Sequence, residues 1–353
     1  MTAPRRRHGR GLVIAFAVVA VLAVLAVVGG GLVLYGRTQL EAPSATHGAA
    51  VTVQVQSGET VDQLAADLQT RGLIRSSFWF GWFAKFKGLA SQLRAGQFKL
   101  DSGMGASAII QRLEGAPDVA VLRVTLVEGL TARQMAAKVG AAGLGITADQ
   151  YMNEVDHGTF SEPFLAGRPA GASLEGFLFP DTYDVPQGTT AHQLVQMQLD
   201  DFAHRTAALL AAPPNGLSAY QLVVLASIVE REAQFDDDRP KVASAIFNRL
   251  SQGMALQSDA TVEYGLGITG REPSADELHQ DTPYNTYLHT GLTPTPISNP
   301  GLASLQAAAH PAATQFLFWV ADGCGHNHYA VTAQQHDQQV AQFLNSPCPS
   351  QSP

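Results

Sequence analysis

Two glutamates, Glu230 and Glu232, are the residues of this chain with the clearest potential for acid–base chemistry. They end the segment SAYQLVVLASIVEREA, in which Ser218 and Gln221 form a capping box and apolar residues recur at helical spacing. A helix turns about 100° per residue, so the two glutamates lie about 80° to either side of the apolar stripe. A carboxylate at the border of a buried face is partly desolvated, which raises its pKa toward that of a general acid.

Several other enzyme classes lack their motifs in this chain. There is no HExxH helix, no GxSxG turn, no SxxK motif and no phosphate-binding P-loop in the sequence. Four histidines near the C-terminus have no spacing typical of a zinc site, which favours roles as hydrogen-bonding or wall residues: His310, His326, His328 and His336. The sequence therefore predicts no metal and no cofactor.

The charge of the chain is divided unevenly. The formal net charge is −8, yet the first 35 residues hold four arginines and no acid. Residues 36–353 carry 18 basic and 30 acidic side chains. No nucleic acid is expected as a partner, because a phosphate backbone requires a basic face.

Residues 11–35 form one uncharged apolar run. A helix of about 20 residues crosses a bilayer, so this run predicts a single transmembrane helix. A cleaved signal peptide is less favoured, because signal cores contain only about 7 to 15 apolar residues. Four arginines precede the run, so the positive-inside rule predicts that residues 1–10 are a cytoplasmic tail and that everything after the span lies outside the cytoplasm.

A strand–turn–helix pattern occurs twice after a linker over residues 36–50. The first copy, VTVQVQSGETVDQLAADL, turns at Gly58, and the second, VTLVEGLTARQMAAKV, turns at Gly129, 71 residues later. Seven residues match at this constant offset, which indicates an internal repeat. The first copy and the elements that follow it predict a small α+β module over residues 51–117.

Six aromatic side chains are crowded into residues 78–86 of this module. They could stack on sugar rings, but spacings of three and four place Trp79, Trp82, Phe83 and Phe86 on one helix face. A role as the core of the small module is therefore favoured.

Polar runs flank the helices of the remaining region, residues 118–345, which precedes a short tail over residues 346–353. These runs are SLEGFLFPDTYDVP, LQSDATVEYG and DTPYNTYLHTGLTPTPISNPG. Their amides, hydroxyls and few acids suit a neutral ligand that is rich in hydroxyl and amide groups. A glycan fits this description.

Taken in order, the motifs resemble those of the membrane-anchored endolytic murein transglycosylases of bacteria. The resemblance covers nearly the whole chain and includes RAGQFKL, LEGFLFPDTY, ASIVERE, LQSDATVEYG, DTPYNTY, NPG and AAAHPAAT. It implies an α+β fold in which an N-terminal transmembrane helix precedes a LysM-like module and a mixed, helix-rich catalytic domain. It also implies a single-pass protein of the bacterial plasma membrane, with peptidoglycan strands as substrate and peptidoglycan synthases as candidate partners.

The resemblance further implies the reaction and its catalytic acid, Glu230. The enzyme would be a lyase that cleaves the β-1,4 bond from N-acetylmuramic acid to N-acetylglucosamine within nascent strands. Most glycosidases need two carboxylates, whereas here the C6 hydroxyl of the substrate is the nucleophile, so one glutamate is sufficient. The product is a 1,6-anhydro end, and the cut terminates strand elongation.

Five residues of the polar runs are expected to contact the substrate, with hydrogen-bonded scaffolding as the alternative: Gln257, Asp259, Tyr284, Asn285 and Thr286. Such groups could orient the N-acetyl arms and stabilise a developing oxocarbenium charge. The chain departs from the family pattern at Ala260, in GLTPTPI and at residues 335–337, which affects the expected subsite contacts and leaves Glu230 unaffected.

Two other functions fit parts of the sequence. Glu175 or Asp181 could serve as a second carboxylate, which would make the enzyme a water-using muramidase, although Pro180 and Asp181 favour a structural turn. A membrane-anchored, non-catalytic peptidoglycan-binding scaffold is the other alternative. An intact Glu230 on a well-capped helix argues against it.

The two cysteines, Cys324 and Cys348, both lie in the region predicted to be exported. A disulfide persists in such a compartment and would close a loop of about 25 residues. Two unpaired thiols in a loose tail are the alternative.

Overall fold

The computed structural model describes residues 27–44, 48–56, 58–344 and 348. The chain forms two compact units, one ending at Val121 and the other beginning at Leu122. Most of the predicted transmembrane helix, residues 11–26, lies outside the described residues, and residues 27–40 are helical (α1). Among the helices of the described residues, none combines the length and apolar character that a bilayer crossing requires.

The first unit contains an antiparallel strand pair and three helices after α1. In chain order these elements are β1 (Val51–Val55), α2 (Val61–Thr70), α3 (Ser77–Phe86), β2 (Gly96–Leu100) and α4 (Ala106–Glu114). Val53 of β1 pairs with Phe98 of β2, and both are fully buried. The predicted turn at Gly58, with φ +83°, leads into α2, whose start is capped by Thr60 and Gln63. The first strand–turn–helix prediction is therefore confirmed.

The helix α3 does not bury the face that the sequence predicted. Phe80 and Ala84 enter the core, whereas Trp82 and Phe86 are 57% and 74% exposed. Trp79 packs edge-on against Tyr35, with ring centroids 6.4 Å apart. The predicted core face is wrong because nearly every residue of α3 is apolar, so periodicity alone could not select the buried side.

The second unit is helix-rich, and β3 (Val119–Thr125) leads into it. Its elements are α5 (Ala132–Ala141), α6 (Ala148–His157), β4 (Thr182–Pro186), α7 (Ala191–Ala211), α8 (Ala219–Glu232), α9 (Arg239–Ser251), α10 (Asp259–Leu266), α11 (Leu302–Ala309), the β5 (Phe318–Ala321) and β6 (Asn327–Ala330) hairpin, and α12 (Ala333–Phe343). The mixed α+β class is confirmed.

The helix α8 lies at the centre of the second unit and packs against α7, α9, α10 and α11. Ser218 and Gln221 cap it reciprocally, as predicted, with Gln221 N donating to Ser218 Oγ at 3.1 Å. Every residue from Leu222 to Val229 is buried, because neighbouring helices enclose the apolar stripe from several sides. Its last turn carries Glu230 and Glu232, whose carboxylates have polar partners.

The C-terminal hairpin is joined to the tail by a disulfide between Cys324 and Cys348. Of the two alternatives that the sequence left open, the structure therefore contains the bridge. It closes a 24-residue separation around α12.

Candidate active site

Glu230 lies in the last turn of α8 with a side chain only 6% exposed. Its Oε2 accepts a hydrogen bond from the backbone N–H of Gly301 at 3.0 Å. The same oxygen lies 3.2 Å from Nη1 of Arg239, the first residue of α9. A backbone donor and a guanidinium both favour the ionised form of a carboxylate. Two donors thus hold the Glu230 carboxylate in place.

Arg239 is itself 7% exposed and has further partners besides Glu230. Its Nη1 donates to Ser304 Oγ at 2.5 Å, and its Nε donates to Asp236 Oδ1 at 3.1 Å. These bonds fix the guanidinium between α8 and α11. No local pattern in the sequence selects Arg239, because its partner Glu230 lies on a different helix.

A second carboxylate, Glu128, faces the same cleft and was missed by the sequence reasoning. The turn after β3 is bonded to the turn before α11, with Gly129 N donating to Asn299 O at 3.0 Å and Asn299 N donating to Leu130 O at 2.9 Å. This pairing places Glu128 against Gly301, where a Cβ would overlap the Glu128 carboxylate. One signal in the sequence could have revealed it: the second copy of the repeat has glutamate before its turn glycine, where the first copy has Ser57.

Glu128 is exposed to the cleft, but its carboxylate is partly desolvated where it lies against Gly301. This desolvation, together with the nearby charge of Glu230, raises the pKa of Glu128. The two carboxylates therefore differ in environment, since one is ion-paired and buried and the other is exposed with a raised pKa.

The cleft that contains Glu128 and Glu230 has a volume of about 470 Å³. Its other walls are the end of β3 and the turn before β4: Thr125, Leu126, Val127, Pro180, Asp181 and Thr182. Larger cavities of about 860 and 650 Å³ lie elsewhere on the second unit. The larger of these two is lined by none of the predicted site residues, so size alone does not locate the site.

Glu175, one of the possible second carboxylates, is only 3% exposed and lines the cavity of about 650 Å³, not the cleft that contains Glu230. Ala132 N donates to both of its oxygens at 2.9 and 3.0 Å, and Tyr264 OH donates at 3.4 Å. Burial raises the pKa of Glu175 to about 8. These contacts support the structural role that the sequence favoured.

Asp181, the other possible second carboxylate, belongs to a turn. Its Oδ1 accepts from Thr182 N at 2.6 Å, and its Oδ2 accepts from Arg205 at 2.5 Å. Both oxygens are therefore engaged, in agreement with the turn chemistry expected for this position.

Glu232 points away from Glu230, as the helix-face prediction requires. It accepts hydrogen bonds from Ser258 Oγ at 2.5 Å and from Trp319 Nε1 at 3.2 Å. Burial raises the pKa of Glu232. The residue joins α8 to the β5 strand and to the segment before α10.

The five predicted substrate contacts have different surroundings. Asn285 and Thr286 are buried, and their side chains bond within the protein. Asn285 Nδ2 donates to Leu278 O at 2.9 Å, and Thr286 Oγ1 accepts from Ser258 N at 3.0 Å. Both side chains act as scaffold in this structure, because their polar groups already form hydrogen bonds within the protein.

The other three predicted contacts are more accessible. Asp259 accepts from Tyr287 OH at 2.6 Å, and Tyr284 OH is bonded to Thr295 Oγ1 at 2.7 Å. Gln257 is exposed and adopts a φ of +48°. None of the five lines the cleft that holds Glu230.

Carboxylates that line an open cleft are typical of enzymes that cleave glycosidic bonds. The chain belongs to the YceG-like family, whose sequence profile matches residues 53–342.

Two bacterial proteins similar to this chain carry the same enzyme name. The chain is 32% identical over 330 residues to the endolytic murein transglycosylase of Bacillus subtilis (strain 168), covering 90% of this chain and 91% of the relative. It is 29% identical over 368 residues to the endolytic murein transglycosylase of Streptococcus pneumoniae serotype 2 (strain D39), covering 96% of this chain and 66% of the relative. The crystal structure of a yceG-like protein from Listeria monocytogenes is similar with a TM-score of 0.55 and 27% identity, over 82% of this chain and 98% of that one.

Proposed function

We propose that this chain is an endolytic murein transglycosylase and that Glu230 is its essential carboxylate. Relatives of that name align over nine-tenths of the chain. The observation that carries the assignment of Glu230 is its position at the base of the cleft, fixed by Gly301 N–H and Arg239. A carboxylate fixed by two donors is pre-organised to act on a substrate proton without rearrangement.

The reaction breaks the bond between C1 of N-acetylmuramic acid and the bridging oxygen. Glu230 gives a proton to the bridging oxygen as the bond from C1 breaks, and the C6 hydroxyl of the same sugar attacks C1 and returns a proton to Glu230. No water is consumed, so the product is a 1,6-anhydro end. Attack within one ring benefits from high effective molarity, provided that the site holds the ring in a reactive shape.

A muramidase is the second candidate function, and the presence of Glu128 in the cleft favours it. Two carboxylates in one site suit a reaction that uses water. The product distinguishes the two functions, since hydrolysis leaves a reducing end that is heavier by one water.

The test is digestion of purified sacculi by the full chain in detergent, followed by mass spectrometry of the released fragments. A majority of anhydro ends among the fragments would support the transglycosylase. Glu230→Gln serves as the inactive control. Mostly reducing ends would establish the muramidase instead. No released fragment under any condition would support the non-catalytic scaffold.

We further propose that residues 11–35 anchor the chain in the plasma membrane, with the N-terminus in the cytoplasm and both units outside it. The apolar run and the four arginines before it support this orientation. The first unit would then act as a LysM-like, glycan-binding module beside the synthases that supply nascent strands. A reporter fused to the C-terminus should be active only if it works outside the cytoplasm, and activity of a strictly cytoplasmic reporter would contradict the orientation.

A further inference from the structure

We propose that Glu128 is a second catalytic residue, which donates the proton to the bridging oxygen while Glu230 accepts the proton of the C6 hydroxyl. The proposal rests on the transglycosylase function proposed above and divides its proton transfers between two side chains. It is carried by the position of both carboxylates around a single glycine.

Gly301 lies between the two carboxylates. Its N–H donates to Glu230 Oε2 at 3.0 Å, while the space that a Cβ at this residue would fill is occupied by the Glu128 carboxylate. Gly129, which follows Glu128, has a φ of +75°, and a Cβ there would lie 3.6 Å from Glu230 Cγ. The missing side chain of Gly301 thus leaves room for the Glu128 carboxylate, and the positive φ of Gly129 favours glycine beside the Glu230 side chain.

The position of Glu128 is determined by the backbone. The bonds from Gly129 N to Asn299 O and from Asn299 N to Leu130 O hold the segment after β3 against the segment before α11. The Glu128 side chain leaves this paired segment on the side of Gly301, and it lines the same cleft as Glu230. Glu128 is therefore presented to a bound glycan from a fixed backbone.

The two side chains have opposite environments. Glu230 is held by Arg239 and a backbone N–H, so it suits the role of proton acceptor. Among the described residues, none forms a hydrogen bond or ion pair with the Glu128 side chain, so its carboxyl group is available to the ligand. Glu230 and Asp236 repel a charge on Glu128, and Arg239 opposes their effect. Two carboxylates in such different surroundings are suited to divide the acid and base roles of a reaction.

The step balances without any further reactant. The O–H bond of protonated Glu128 breaks, and its proton joins the bridging oxygen as the C1–O bond to the leaving sugar breaks. The C6 oxygen forms the new bond to C1, and its proton moves to Glu230. One proton then passes from Glu230 to Glu128, directly or through solvent, which restores the starting state.

The test compares Glu128→Gln with Glu230→Gln on murein and on a muramyl glycan with a nitrophenyl leaving group. A nitrophenolate leaves without protonation, so the loss of a general acid is masked on that substrate. We expect Glu128→Gln to reduce kcat/KM on murein by about 100-fold or more and to recover most activity on the nitrophenyl glycan. Glu230→Gln should stay inactive on both, because the C6 hydroxyl still requires a base.

Two control variants make the outcome decisive. Glu272→Gln changes an exposed glutamate that lies outside the cleft and should behave as the wild type. A general acid loses its proton at alkaline pH, so kcat/KM of the wild type on murein should fall there. Glu128→Asp keeps an ionisable carboxyl group and should keep this fall, whereas Glu128→Gln should lose it.

The possible failures can be told apart. Glu128→Gln within about threefold of the wild type on murein, or an equal loss on both substrates, would overturn the catalytic role of Glu128. A wild-type enzyme that releases no anhydro ends would instead contradict the proposed function itself.

Discussion

Asn299 donates a buried hydrogen bond from Nδ2 to Glu175 Oε1 at 2.7 Å. The Oδ1 of the same amide accepts from Gly176 N at 2.8 Å and from Leu178 N at 3.1 Å. The backbone of Asn299 pairs with the segment after Glu128, and Gly301, two residues on, holds Glu230. One asparagine thus connects the three segments that determine the geometry of the cleft.

Replacing Asn299 by alanine should destabilise the second unit by about 3 kcal/mol, because several buried backbone groups lose their partner. Urea unfolding of the variant beside the wild type measures this free energy. Asn153→Ala, which changes an exposed asparagine, is the matched control and should unfold like the wild type. An equal stability of both variants would contradict the connecting role of Asn299.

The buried carboxyl of Glu175 should make stability depend on pH. Its pKa is about 8 in the folded state and about 4.5 when unfolded, so its stabilising contribution is complete below pH 4.5 and is lost as the pH rises through 8. The wild type should lose up to about 1.4 kcal/mol of unfolding free energy per pH unit in this window, relative to Glu175→Gln. Chemical unfolding at several pH values measures both slopes. Parallel curves for the two proteins would show that Glu175 does not titrate as described.

Glu230→Gln should abolish cleavage of murein with the fold retained, because the amide is nearly isosteric but cannot exchange the proton. Glu232→Gln should retain activity within about tenfold, because Glu232 contacts Ser258 and Trp319 and not the cleft. Release of anhydro-muropeptides measures activity, and circular dichroism measures folding. The reverse result, an active Glu230→Gln and an inactive Glu232→Gln, would move the site to the other border of α8.

Arg239→Met should destabilise the protein by about 3 to 5 kcal/mol, because it leaves the buried carboxylate of Glu230 without its counter-ion. The double variant Arg239→Met with Glu230→Gln should be less destabilised than the sum of the single variants, by at least about 1 kcal/mol. Thermal unfolding of the four proteins gives this coupling energy. Strict additivity would contradict the ion pair.

The local features of α8 could be predicted from the sequence. The capping box of Ser218 and Gln221 and the apolar spacing depend on residues close together in the chain, so helix start and buried stripe follow from local hydrogen bonding and periodicity. The opposite borders occupied by Glu230 and Glu232 follow from the same helical geometry. The motifs that resemble the family pattern also select Glu230 as the candidate catalytic residue, and this role stays a prediction.

The surroundings of these glutamates were decided only by the tertiary structure. Glu128 reaches Glu230 because backbone bonds join residues 129 and 299, a pairing between distant segments that no local pattern encodes. Asn285 and Thr286 looked like ligand contacts from their residue types, yet the packing of their loop buries them and uses their polar groups internally. The exposed face of α3 was likewise ambiguous, because burial of an almost wholly apolar helix depends on which neighbours cover it.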